Sequence, residues 1–183
     1  MAHGTQGYIG KLRGEIQDSL VTTAAEEIFL PSDKLHSILT ISAVHGAVTE
    51  LHCGPEHRIN LADTIYHQGR RVFAILVYNG WQDHIIDFRK HGALDSRLPI
   101  TEDDAVVITN HEVGRRLVRE QWMFLPYTFP RSMWEYDCHV ERKMIIPLIK
   151  VEQIGSGAFS TVEKIGISPS QQNFVDNGVR AFK

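Results

Sequence analysis

The chain has 183 residues, 43% of them apolar and 22% charged, with a formal net charge of −3. This length suits one ordinary domain with an extension or two small units, and the balance is that of a folded globular protein, not a disordered one. A mild negative charge gives no electrostatic reason to expect a nucleic-acid backbone or an anionic membrane as the partner.

The first ten residues, MAHGTQGYIG, lack the basic segment and apolar run of a secretory signal, and no later run is long and apolar enough to cross a bilayer. Cys53 and Cys138 lie far apart, so reduced packing thiols in a cytoplasmic or nuclear setting are expected, with no disulfide framework. From Leu12 to His91, apolar groups at helical spacing alternate with polar or Gly/Pro breaks, which predicts several short helices. Pro31-Ser32-Asp33 offers Ser32 or Asp33 as the N-cap of a helix through Lys34–Leu39. Leu61 and Ile65 share a face of a helix that Gly69 is placed to stop.

Arg70 to Tyr78 is densely apolar, and periodicity alone leaves helix and strand open. Ala74, Leu76 and the terminal Asn79-Gly80 favour helix. Asp83 is placed to cap a helix over 84–90 that Gly92 closes. Leu94 to Asp104 reads as an exposed loop and hinge. Val113, Leu117, Val118, Trp122 and Met123 then form an apolar stripe, with Arg115, Arg116 and Arg119 opposite, which predicts the longest helix of the chain. Pro126 and Pro130 end it, and a connector begins at about Tyr127. From Lys143 the runs are β-type; Pro147 is unsuited to a sheet interior, so the first ladder strand is expected near Lys150.

Within that β-type region, Ile154-Gly155-Ser156-Gly157-Ala158-Phe159-Ser160-Thr161-Val162 sets two glycines between strand-like segments, and Val179-Arg180-Ala181-Phe182-Lys183 follows. Glycines without a Cβ let a hairpin backbone approach polyphosphate closely. A glycine pair alone is usually only a turn, but the two glycines, the aromatic, the valine and the distal Ala-x-Lys keep a recognisable order. This constellation resembles the glycine-rich loop and lysine strand of eukaryotic-type protein kinases, with Ser160 standing where a third glycine is usual. A dinucleotide fingerprint fits poorly, because it opens a helix and the sequence after Val162 does not read as one. Upstream, Glu120–Leu125 and Ile145–Ile149 resemble the leader preceding the kinase domain in fungal kinase-domain proteins.

The resemblance implies an ATP site in which Ile154, Gly155, Ser156, Gly157, Ala158, Phe159 and Ser160 cover the nucleotide, Val162 and Ala181 sandwich adenine, and Lys183 meets the α- and β-phosphates. It also implies a serine/threonine-type lineage. Mg²⁺ enters by resemblance only, since the His-Arg-Asp and Asp-Phe-Gly sequences that would carry catalysis and metal would lie after Lys183. The chain is therefore expected to be a truncated kinase segment, inactive alone, with no catalytic residue assigned. The acids Asp87, Asp95, Glu102, Asp103 and Asp104 read as solvated. His45, His52, Cys53 and His57 lack the regular spacing of a zinc site. The arginine face reads as solvated, and Trp122, Phe124 and Tyr127 as packing residues.

The expected architecture is α+β: a helical region over 1–125, a connector over 126–149, and over 150–183 a short antiparallel sheet equivalent to the first strands of a kinase amino-terminal lobe. A non-catalytic interaction module, in which the helical region binds a protein partner and the kinase-like sheet is vestigial, is the alternative.

Overall fold

The computed structural model describes residues 7–131, 140–157 and 160–173. The architecture is α+β with a helical amino-terminal region. Its helices are α1 (Tyr8–Asp18), α2 (Ser32–Ile38), α3 (Ile41–Val48), α4 (Pro55–Gln68), α5 (Arg70–Asn79), α6 (Ile85–Lys90), α7 (Glu102–Ile108) and α8 (His111–Glu120). The described residues also form two antiparallel pairs, β1 (Val21–Thr22) with β2 (Ile28–Phe29), and β3 (Leu148–Ser156) with β4 (Thr161–Ile167).

The core is organised around α5. Its six residues Val72 to Val77 are all buried, which is why the apolar run carries no amphipathic period. Gly80 ends the helix with φ of 82°, a left-handed conformation that costs glycine little. Leu12 and Ile16 of α1, Leu61 and Ile65 of α4, and Phe88 of α6 belong to the same cluster. Arg13 fastens α1 to α5 by donating from Nε to the Val77 carbonyl at 2.8 Å.

α2 begins at Ser32 with Pro31 in the cap position, and no side chain caps it, because the Ser32 hydroxyl is engaged with Gln171 across the molecule. Asp83 caps nothing: it lies in a short 3₁₀ turn over Gln82–His84, and its Oδ1 accepts from the His52 amide and ring, each at 2.9 Å. The segment 94–104 is not an exposed hinge. Leu94 and Ile100 are buried, and α7 starts at Glu102 with Thr101 as N-cap, accepting from Asp104. Asp95 is not a solvated acid, since its carboxylate caps α5 by accepting from the Arg71 and Val72 amides at 3.0 Å each.

The longest described helix is α4 with 14 residues, opened by Pro55 in the first turn; α8 has 10, because its stripe tightens into a 3₁₀ turn at Gln121–Phe124. The strands of the small β1–β2 pair are only two residues long, too short to leave an alternating pattern in the sequence. β3 starts at Leu148, directly after Pro147 and two residues ahead of the expected position; the proline stays outside the ladder.

Candidate functional site

The loop that prompted the nucleotide expectation joins β3 to β4. The two strands pair antiparallel, with Val151 opposite Ile165, Gly155 opposite Val162 and Ser156 opposite Thr161. The Gly157 amide donates to the Ser160 carbonyl at 2.7 Å, so the turn closes tightly at Gly157 and Ser160. The register is irregular between Gln153 and Gly155, which places a bulge at Ile154, two paired residues before the turn.

The two glycines are not explained by the fold. Neither has a backbone φ in the left-handed region. A Cβ built on Gly155 would meet only Val162, at 3.9 Å, and one on Gly157 would meet Ser160 at 3.5 Å and 3.8 Å, all ordinary contacts. Gly114 shows what a demanded glycine looks like: a Cβ there would lie 2.8 Å from the backbone nitrogen of Val106.

The hairpin stands clear of the helical core, with Ile154 60% and Val162 54% exposed. Its feet are fastened. The Ala24 amide donates to the Leu148 carbonyl at 2.7 Å, and the Ser168 amide donates to the Pro147 carbonyl at 3.1 Å. Beyond β4, Gln171 is fully buried; its side chain bonds the Ser32 hydroxyl, and its carbonyl accepts from the Phe129 amide at 2.9 Å. Of the residues expected to hold ATP, the structure brings Ile154, Gly155, Ser156, Gly157, Ser160 and Val162 onto this one hairpin. Ala158, Phe159, Ala181 and Lys183 lie outside the described residues.

No family model, curated protein or solved structure matches the chain. Lys150 and Lys164 flank the hairpin, and the hydrogen bond and charge of Lys150, followed by the charge of Lys164, hold the Glu152 carboxyl below its ordinary range. Ser156 and Ser160 set two hydroxyls beside two glycines without a Cβ, which suits an oxyanion group better than an apolar ligand.

The other clusters are engaged within the chain. His45 faces Asp63 at 3.6 Å, His52 is bound to Asp83, and His57 lies 3.4 Å from Glu56, while Cys53 is a half-buried free thiol. Arg115 pairs with Glu102 at 2.8 Å, and Arg116 and Arg119 share Glu120, so each arginine of this face already meets a carboxylate of the same chain. Phe124 is buried and meets Tyr78 edge-on at 5.7 Å, and Tyr127 meets Phe129 at 5.0 Å. A shallow groove of about 430 Å³ runs along Glu56, Asn60, Asp63 and His67, all from α4, with no converging chemistry. No described helix is long and apolar enough to cross a membrane.

The buried glutamines Gln121 and Gln171 and the capping Asp95 escaped the sequence reading. Each acts on backbone or hydroxyl groups distant in sequence, so no local pattern announces it.

Proposed function

We propose that β3, β4 and the loop between them form the phosphate-covering hairpin of a protein-kinase-like ATP site, and that Lys183 supplies its cation. The single observation that carries this reading is the unexplained pair of glycines. Neither conformation nor internal packing requires glycine at 155 or 157, whereas close approach of a polyphosphate to the backbone does require it. The bulge at Ile154 and the short Gly157–Ser160 closure support the same reading, since they make a tight irregular turn at which the backbone carries no Cβ at two positions.

Ile154 and Val162 are exposed apolar side chains at the base of the loop, and an adenine ring is a ligand that covers such residues. Ser160 in place of a third glycine keeps a small side chain at the closure. The order of glycines, Phe159, Val162, Ala181 and Lys183 supports the protein-kinase resemblance, and the serine/threonine-type lineage is what that resemblance implies. Phosphoryl transfer is assigned to none of residues 1–183, because no His-Arg-Asp or Asp-Phe-Gly sequence occurs among them.

Titration calorimetry of the full chain with Mg-ATP tests the proposal. Saturable binding that Lys183→Ala and Gly157→Val both weaken is expected; a folded chain that takes up no nucleotide contradicts it.

A further inference from the structure

The hairpin carries a second feature that the nucleotide reading does not use. Isolated two-stranded sheets are marginal in water, and a long exposed edge invites a further strand. Among the described residues, the outer edge of β3 faces no strand. It is engaged at its start, where Leu148 accepts from Ala24, and interrupted near its end by the bulge at Ile154. A further irregularity at Ile149 leaves a regular stretch over Lys150–Gln153.

That stretch contains a self-complementary trio. A two-fold axis perpendicular to the sheet through Val151 sets Val151 against its own copy and Lys150 against Glu152 of the second chain, twice. The same axis continues the existing cross-strand pairs. Val151 already lies opposite Ile165, so one face gains a row of Ile165, Val151 and their two copies. Glu152 already lies opposite Lys164, so the other face gains alternating charge as Lys164, Glu152 and the second chain's Lys150. Val151 and Ile165, exposed by 42% and 50%, are the apolar groups this row would cover. No such balance exists on β4, where an axis through Glu163 or Lys164 would oppose like charges.

We infer that this protein self-associates through antiparallel pairing of β3 with β3 of a second copy, centred on Val151, to give a four-stranded sheet. Gly155 and Gly157 lie beyond the bulge and outside the paired stretch Lys150–Gln153, so the pairing is independent of nucleotide.

Sedimentation equilibrium of the full chain over a concentration series tests it. The expected result is a reversible species of twice the 20.8 kDa chain mass. Lys150→Glu and Glu152→Lys should each weaken the association by roughly tenfold, because each reverses two symmetry-related pairs. Lys150→Glu/Glu152→Lys should restore it, and Val151→Lys, which sets two ammonium groups on the axis, should abolish it. Circular-dichroism melts on dilute samples verify that each variant is folded. A chain that stays monomeric across the series, or a dimer whose strength ignores the two reversals, overturns the inference.

Discussion

Gln121 holds the backbone of Ile100 from both sides: its Oε1 accepts from the Ile100 amide at 2.8 Å, and its Nε2 donates to the Ile100 carbonyl at 3.1 Å. The side chain is 1% exposed, and it also donates to the Val118 carbonyl. The fully buried amide thereby satisfies a stretch of irregular chain that would otherwise carry unpaired polar groups into the core. It is the reason that the segment before α7 is fixed instead of acting as a hinge.

Replacing Gln121 by Leu keeps the volume and removes the partners. Two buried backbone groups then lose their bonds, so a loss of about 2–4 kcal/mol in unfolding free energy is expected from urea titration. A loss below about 0.5 kcal/mol, the level of an ordinary surface change, would mean that water replaces the clasp.

Two helical glycines should respond with opposite sign. Gly14 in α1 has nothing within 4 Å of a built Cβ, so Gly14→Ala should stabilise by about 0.5–1 kcal/mol through helix propensity alone. Gly114 in α8 is pressed against the Val106 backbone, so Gly114→Ala should destabilise by about 1–3 kcal/mol as α7 and α8 move apart. Thermal melts of the two variants against the parent read the difference directly.

The acid and amide pairing at the start of α5 has a pH signature. Burial pushes the Asp95 carboxyl above its ordinary value, against the opposing pull of the Arg71 and Val72 amides. The folded chain therefore holds this proton more tightly than the unfolded chain, and between the ordinary and the raised pKa stability falls as pH rises. At Asp83 burial also acts upward, but the amide and ring hydrogen bonds from His52 outweigh it and hold the carboxyl below its ordinary value. Its contribution has the opposite sign, present above the ordinary value and lost as pH falls through the lowered one. Unfolding free energies of Asp95→Asn measured across the acidic range should lack the Asp95 slope, and those of Asp83→Asn should lack the Asp83 slope. A parent and an Asp95→Asn curve that run parallel would contradict the assignment.

How much of this was legible in the sequence depends on whether the cause was local. The α5 helix could be read from Ala74, Leu76 and Asn79-Gly80 because propensity and a stop residue act within a few positions. α4 could be read from Leu61, Ile65 and Gly69 for the same reason. Ser32 was misread because a serine before a helix has two uses, and Gln171, 139 residues away, claims its hydroxyl. Asp95 was misread as solvated because its partners are amides at the start of another helix. Glu26 sits at φ 64° in the β1–β2 turn, where glycine would be the usual signal, so no local residue type announces that turn. The β3–β4 hairpin was legible from glycines between β-type runs, while its uncovered apolar residues were not, since exposure is a property of the assembled chain.

The nucleotide reading turns on why positions 155 and 157 are glycine. Gly155→Ala and Gly157→Ala add one methyl each at sites where the fold has room. Calorimetry of the double variant with Mg-ATP, run beside its thermal melt, separates the two causes. An unchanged or slightly raised melting temperature together with at least a tenfold loss of affinity is expected. Nucleotide affinity that survives both methyl groups, or a melting temperature that falls with them, would contradict it.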